Sequence, residues 1–241
     1  MRTKISAETR AKMRTTAIKN GNKPPSRAGT ITIITAAWNL EGLKKTIKSI
    51  NKQTYKDWNH IVINDCNKDI RSELEGLCDG SKRFWVDLGV RTHYYGCYAR
   101  NIGLMTAFSY LHASERDIDN EWVVFHDDDN LWEPTHLQDM IDVRDNSKNV
   151  DISMVATDAK WVGAKDKDWS IRRPCLLKHG GCDLGQFMYK TRLFRDYGYF
   201  FAHPGRKHKW DWELIDKFTH KEEENLEYTN NTTFIMNYKK R

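Results

Sequence analysis

Apolar positions along this chain switch between two periods, and the switches mark its elements. Ile31-Thr32-Ile33-Ile34-Thr35 is a short, β-branched, apolar run of the kind that forms a buried strand. After it, Leu43, Ile47 and Ile50 recur at helical spacing and predict a helix with one apolar face. The pairing then repeats. Trp58 to Ile63 predicts a strand ending in Asn64-Asp65, and residues 70–78 predict a helix. Phe84-Trp85-Val86 predicts a brief strand, and Ala99 to Ala113 a long helix. Glu121 to Phe125 predicts a buried strand running into Asp127-Asp128-Asp129. A helix from Pro134 to Arg144 and a strand near Ile152 to Thr157 follow. Strands alternating with helices imply an α/β fold with a mainly parallel sheet flanked by helices. Ligands of such sheets sit beyond the carboxyl ends of the strands. Trp38-Asn39, Asn64-Asp65 and Asp127 to Asp129 each follow an apolar strand, so they are expected to converge at that edge.

Ahead of this pattern, Ile5 to Gly21 reads as one short helix, with Ser6 as N-cap and Asn20-Gly21 as stop. Lys23-Pro24-Pro25-Ser26 reads as a linker. Charge sharpens this division. The chain has 241 residues and a formal net charge of +6, yet residues 1–27 alone hold eight basic side chains and one acid. The remaining 214 residues carry 31 basic and 32 acidic groups, a net of −1. A basic helical arm (1–27) therefore precedes a nearly neutral domain (28–241), which points to a polyanion or an acidic surface as its partner, or to a solvated tail. A hydrophobic content of 39% excludes disorder for the bulk of the chain. No apolar run reaches membrane-spanning length and no secretory signal opens the sequence, so a cytoplasmic location is expected. Cys66, Cys78, Cys97, Cys175 and Cys182 are odd in number and contain no C-x-x-C pair, so reduced thiols are expected.

Three consecutive carboxylates at a strand end repel one another unless a positive group neutralises them. A divalent cation such as Mg²⁺ or Mn²⁺, shared with a diphosphate, is one solution; a solvated acidic turn is the other. Four segments then follow in order: Thr35-Ala36-Ala37-Trp38-Asn39, Ile61 to Asp69, Ala99-Arg100-Asn101-Ile102-Gly103, and Phe125 to Pro134. Together they resemble the family 2 glycosyltransferases of GT-A fold, over roughly Thr30 to Phe218. The resemblance implies that Thr35, Ala37, Trp38, Asn39 and Asp65 line a nucleotide pocket for a UDP-sugar donor. It implies Arg100 near the diphosphate, and Asp127 and Asp128 within the donor site. Asp129, with Asp127, would be the metal ligand, and His208, which like His203 flanks Pro204 to Lys207, is a further candidate. Asn64 and Cys66-Asn67 depart from the family's Asp and Gly-Ser at those positions. His208 to Leu214 resembles the family's late acidic segment, which makes Asp211 the expected general base of an inverting displacement. From the residues alone, Asp211 reads first as a helix N-cap or first-turn acid. Lys178 to Phe187, with Gly180, Gly181 and Gly185, reads as an acceptor loop or an ordinary connection.

The arm also resembles the type 3 nuclease-associated modular domain, a DNA-binding element. That resemblance implies phosphate contacts from Lys4, Arg10, Lys12, Arg14, Lys19 and Lys23, to which Arg172 and Arg173 could add. Unmodified bases have no aliphatic hydroxyl. A double-stranded DNA acceptor would therefore carry 5-hydroxymethylcytosine or 5-hydroxymethyluracil, as in bacteriophage DNA modification, which would place the protein in the host cytoplasm. Two other readings are open: a transferase for surface polysaccharide or lipopolysaccharide, and a noncatalytic DNA-binding protein on a transferase-like scaffold.

Overall fold

The computed structural model describes residues 30–78, 80–92, 96–162, 172–173, 175–178, 182–200 and 210–237. The basic arm, with Lys4, Arg10, Lys12, Arg14, Lys19 and Lys23, lies outside the described residues, as do Gly180, Gly181, His203 and His208.

The predicted alternation is what forms. Strand β1 (Ile31–Ala37) leads to helix α1 (Leu40–Asn51), β2 (Trp58–Asn64) to α2 (Lys68–Leu77), and β3 (Arg83–Asp87) to α3 (Cys97–Ala113). β4 (Trp122–Phe125) runs into the acidic turn, and β5 (Leu131–Trp132) and α4 (His136–Asn146) follow it. The last part contains β6 (Met154–Val162), β7 (Arg172–Arg173), β8 (Phe187–Lys190), α5 (Arg192–Tyr197), α6 (Trp210–Lys221) and β9 (Leu226–Asn237). Among the described residues these strands make one sheet in the order β3-β2-β1-β4-β8-β6-β9-β5, with β7 beside β6. β3, β2, β1 and β4 are parallel, as the helical crossovers between them require. β8 inserts antiparallel between β4 and β6. β9 runs parallel to β6, while β5 and β7 run against their neighbours. The sheet is thus parallel in its first half and mixed in its second.

Both faces of the first half are covered. β1 is buried at six of its seven positions, so its apolar run is nearly continuous rather than alternating. α1 and α2 pack on one side through Leu43, Ile47, Ile70 and Leu74. α3 packs on the other side through Ala99 and Ala107 against Ile61 and Ile63. Gly103 sets how close α3 comes: a Cβ there would lie 2.5 Å from Ile34 Cγ2. In the second half, Phe125 makes edge contacts with Tyr189, Phe194 and Phe200 at centroid distances of 6.0, 5.9 and 5.3 Å. These edge-to-face contacts join β4 to β8, to α5 and to the segment that follows α5.

Three buried histidines brace the sheet. His60 Nδ1 accepts from Arg83 Nε at 2.9 Å, which leaves its Nε2–H to donate to Thr35 Oγ1, also at 2.9 Å. His126 stacks on Trp132 at 4.0 Å, and Trp132 on His136 at 4.5 Å, forming a three-ring pile beneath the acidic turn. Burial lowers the pKa of all three. Arg83 and then His126 add to the effect at His60, His126 adds to it at His136, and Asp127 partly opposes it at His126, which still falls to about 3. All three are neutral in the fold, whereas the unfolded chain takes up their protons as pH falls through about 6.5. Stability from these residues is therefore complete above that pH and lost below it, by about 1.4 kcal/mol per pH unit per histidine. Urea unfolding at several pH values between neutrality and about 5 should show this slope. His126→Phe, which keeps the stack and removes one of the three titrating groups, should reduce it by about a third.

Candidate active site

The acidic turn is held by α1. Asp127 O accepts from Asn130 N at 3.3 Å, closing a tight turn. Thr46 Oγ1 of α1 lies 3.1 Å from Asp127 O and 3.2 Å from Asn130 O, and so holds both ends. Asp128 is buried, and its Oδ2 accepts from the backbone N–H groups of Trp38 and Asn39, each at 2.5 Å. Those groups open α1, where Asn39 is the N-cap and accepts from Gly42 N at 3.1 Å. A carboxylate at a helix N-terminus satisfies otherwise orphaned donors and meets the positive end of the helix dipole. Asp128 therefore fastens the β1–α1 turn to the acidic turn, while Asp127 and Asp129 on either side of it are only partly buried. Gly42 permits this contact, since a Cβ there would stand 1.9 Å from Asp128 O.

Arg100 links this turn to the far end of the chain. It projects from the first turns of α3, which begins after Gly96 at φ 80°. Its Nη2 lies 2.5 Å from Asp127 Oδ1, and its Nη1 lies 3.1 Å from Asp211 Oδ1 in the first turn of α6. The Arg100 side chain is 5% exposed, against 24% for Asp127 and 40% for Asp211, so the fork stands inside the protein with both carboxylates reaching toward solvent. Burial works against the guanidinium charge, but Asp127 and Asp211 outweigh it and raise the pKa. Burial also raises the pKa of Asp211; Arg100 partly offsets this and Asp127 adds to it. A carboxylate above its ordinary range is a better proton acceptor.

A third carboxylate, Asp183, was not singled out from sequence, although it lies in the segment read as an acceptor loop. It caps the 3₁₀ turn Leu184–Gln186: its Oδ1 accepts from Gly185 N at 2.9 Å, and its own N–H donates to Gln186 Oε1 at 2.8 Å. Burial, then Asp127 and Asp211, push its pKa up to about 8 against the opposing influence of Gly185 N–H and Arg100. The Asp-x-x-Gln spacing of a capping box was the sequence signal for this turn. Nothing in the spacing said that the turn would close on the acidic site.

The end of β2 forms the other wall. Asp65 Oδ1 accepts from Thr92 N at 2.6 Å, which ties the segment after β3 to this edge. Trp38 is 41% exposed and carries the Arg91 guanidinium 3.5 Å from its ring centroid, while its carbonyl accepts from Asn67 Nδ2 at 2.6 Å. Asn64 Nδ2 donates to Asp87 Oδ1 at 2.6 Å, a bond that an aspartate could not make, and this gives the departure at Asn64 a physical reason. Trp38, Asn39, Asp65, Arg100, Asp127, Asp128, Asp129 and Asp211 thus share the carboxyl edge of the sheet. Thr35 does not face that edge: it is fully buried against His60. Ala37 is likewise enclosed, and contributes its carbonyl to Asp65 N at 3.0 Å. Arg172 and Arg173 form the short β7. The five cysteines are free thiols. No described helix is long and apolar enough to cross a membrane.

Carboxylate oxygens suit a hard divalent cation. Among the described residues, however, no three His, Cys, Asp or Glu side chains converge into a finished cation site. A cation held by Asp127 and Asp129 would complete its shell with oxygens of a bound ligand and with water.

Comparison with known proteins agrees with this architecture. The family profile for glycosyl transferase family 2 matches residues 32–206. No curated protein matches the chain. Among solved structures, S. aureus TarS 1-349 in complex with UDP superposes with a TM-score of 0.63 at 17% identity, covering 87% of this chain and 60% of that one. TarS 1-349 in complex with UDP-GlcNAc gives 0.65 at 15% identity, with coverages of 88% and 59%. The mannosyltransferase PcManGT from Pyrobaculum calidifontis, in complex with GDP-Man and Mn²⁺, gives 0.57 at 14% identity, with coverages of 94% and 63%. The chain therefore spans about three fifths of these neighbours' lengths, and at such identities they show the GT-A fold alone.

Gly42→Ala tests the fastening of the acidic turn. The added methyl meets backbone rather than a flexible side chain, so a loss of about 1–3 kcal/mol in unfolding free energy is expected. Urea unfolding of the variant beside the parent chain measures this loss.

Proposed function

The chain belongs to glycosyl transferase family 2, and from that premise we propose that this glycosyltransferase is metal-dependent and inverting and takes a UDP-sugar as donor. The observation that carries the reading is the Arg100 fork, which sets a raised-pKa carboxylate, Asp211, beside the acidic turn. In the proposed displacement, an acceptor hydroxyl attacks the anomeric carbon. Its oxygen forms the new glycosidic bond as the bond to the diphosphate breaks, and its proton passes to Asp211. The sugar leaves with inverted configuration and no protein nucleophile is needed. Arg100 supplies fixed positive charge where the departing diphosphate gathers negative charge. A Mn²⁺ or Mg²⁺ ion held by Asp127 and Asp129 would neutralise that diphosphate. Trp38 offers a half-exposed ring for a nucleobase, and Asp65 stands at the same wall. The complexes of TarS with UDP and UDP-GlcNAc support a UDP-sugar donor, and the Mn²⁺ complex of PcManGT supports a divalent cation.

For the acceptor, we propose a hydroxymethylated cytosine or uracil in double-stranded DNA, as a bacteriophage would use to shield its genome. The support is the charge division of the sequence: a net +7 within residues 1–27 against a net −1 elsewhere. On this reading Lys4, Arg10, Lys12, Arg14, Lys19 and Lys23 contact phosphates, and Arg172 and Arg173 extend the track.

Asp211→Asn should lower turnover by about 10²–10⁴-fold while leaving UDP affinity unchanged. Asp129→Ala should abolish the metal-dependent part of UDP binding. Incubating UDP-sugars and Mn²⁺ or Mg²⁺ with hydroxymethylcytosine or hydroxymethyluracil DNA, then digesting the DNA for mass spectrometry, reads sugar and acceptor together. Absence of DNA-stimulated turnover with every donor would sink the DNA acceptor. Removing residues 1–27 should weaken DNA binding and flatten its salt dependence while sparing hydrolysis of the donor.

A further inference from the structure

An inverting displacement needs its attacking oxygen in line with the anomeric carbon, and Asp211 offers that oxygen one contact. A single hydrogen bond fixes a distance and leaves the direction of approach loose. A second polar group near Asp211 would remove that freedom, and the displacement above makes no use of Asp183.

Asp183 stands on a rigid frame. The 3₁₀ turn Leu184–Gln186 that it caps touches β4, β6 and α6. Leu184 packs in the core cluster that contains Leu214 and Ile215 of α6. Gly185 brings the turn against the root of the acidic turn: a Cβ there would stand 3.2 Å from Phe125 O and 2.5 Å from Phe234 Cε2. Gln186 fastens the other end. Its Nε2 donates to Thr157 O of β6 at 2.8 Å, while its Oε1 accepts from Asp183 N at 2.8 Å. Asp183 Oδ1 accepts from Gly185 N at 2.9 Å, and among the described residues no side chain donates to this carboxyl group. The residue is half-buried, so a ligand in the site can reach it.

Capping alone does not call for an aspartate here. Serine or asparagine caps such a turn about as well. A carboxyl group at this point is disfavoured by burial and by Asp127 and Asp211, whose charges act on it together with that of Arg100. A third acid in the site is a cost that a structural cap would avoid.

We propose that Asp183 is an acceptor-binding residue: Oδ1 caps the turn, while Oδ2 hydrogen-bonds the acceptor beside Asp211, so that the attacking oxygen is held from two sides. The proposal rests on the reading of Asp211 as proton acceptor. The acceptor class that fits is an alcohol with a second hydrogen-bonding group next to its attacking hydroxyl, and water meets the same condition.

Hydrolysis of a UDP-sugar that the wild type turns over gives the readout, because water is then the acceptor. Asp183→Ser keeps a capping oxygen but is too short to reach a ligand, whereas Asp183→Ala loses both. In the full-length protein, hydrogen exchange at the Gly185 amide should stay as in the wild type for the serine variant and speed up for the alanine variant. Kinetics are read well below both unfolding midpoints. In both variants kcat should fall about tenfold to a hundredfold, the scale of a small misplacement of a reacting group, while UDP affinity by calorimetry does not fall. Wild-type kcat in Asp183→Ser overturns the proposal and leaves Asp183 a cap. A loss of UDP affinity that matches the loss of kcat overturns it as well. Asp211→Asn, measured alongside, separates the two readings: wild-type turnover there sinks the proton acceptor, whereas the serine variant reports on Asp183 alone.

Discussion

Arg100 holds two carboxylates that the chain order keeps far apart, and the geometry of the candidate site follows from that ion pair. Asp127 arrives at the end of β4 and Asp211 at the start of α6, yet one buried guanidinium bonds both. A buried arginine without partners would be too costly to keep, and two carboxylates this close would repel without a cation between them. Each member therefore requires the others. The surrounding structure serves the same pairing: Gly103 lets α3 settle onto β1 so that its first turn reaches the sheet edge, and Phe200 and Phe125 pack beneath the fork.

The acidic turn shows how three identical residues acquire different roles. Asp128 faces inward and satisfies the first amides of α1, while Asp127 and Asp129 remain partly open. A turn alternates the direction of its side chains, so one of three successive residues can be structural while its neighbours face a ligand. The rest of the turn's rigidity comes from α1, through the Thr46 hydroxyl and the missing side chain of Gly42. The acidic turn is thus organised by helices, whose backbone amides and short side chains can approach a turn more closely than long side chains could.

The side of the site that carries Asp183 and Asp211 is organised differently. Asp183, in its capped 3₁₀ turn, and Asp211, in a helix first turn, both have raised pKa values because burial and neighbouring acids disfavour their ionised forms. Even with Asp183 protonated near neutrality, Asp127 and Asp211 outnumber Arg100 and leave an excess of negative charge at the sheet edge. That excess favours a cation and a hydroxyl proton, and it disfavours an anionic ligand unless a metal accompanies it.

Much of this was legible in the sequence. The β-branched runs at Ile31 and Trp58 and the helical spacing of Leu43, Ile47 and Ile50 formed the elements they predicted, because burial on both faces of a parallel sheet leaves a strong apolar signal. The position of Asp127 to Asp129 straight after an apolar strand placed them at the sheet edge. The second half was harder to read. β8 and α5 are short, and β9 contains Thr229 to Thr233, a polar stretch with little apolar period. That β8 would insert antiparallel between β4 and β6 was not visible either, since strand order depends on contacts between residues distant in the chain. The site divides in the same way. Residue type and position after a strand marked Asp127 and Asp129 as groups that could do chemistry, and the family resemblance added Arg100 and Asp211. Only the tertiary structure decided that Arg100 would bond Asp127 and Asp211 at once, that Asp128 and Thr35 would turn inward, and that Asp183 would join the acidic groups. Chemistry resides in single side chains, but pairing, burial and electrostatic shifts exist only between groups that folding brings together.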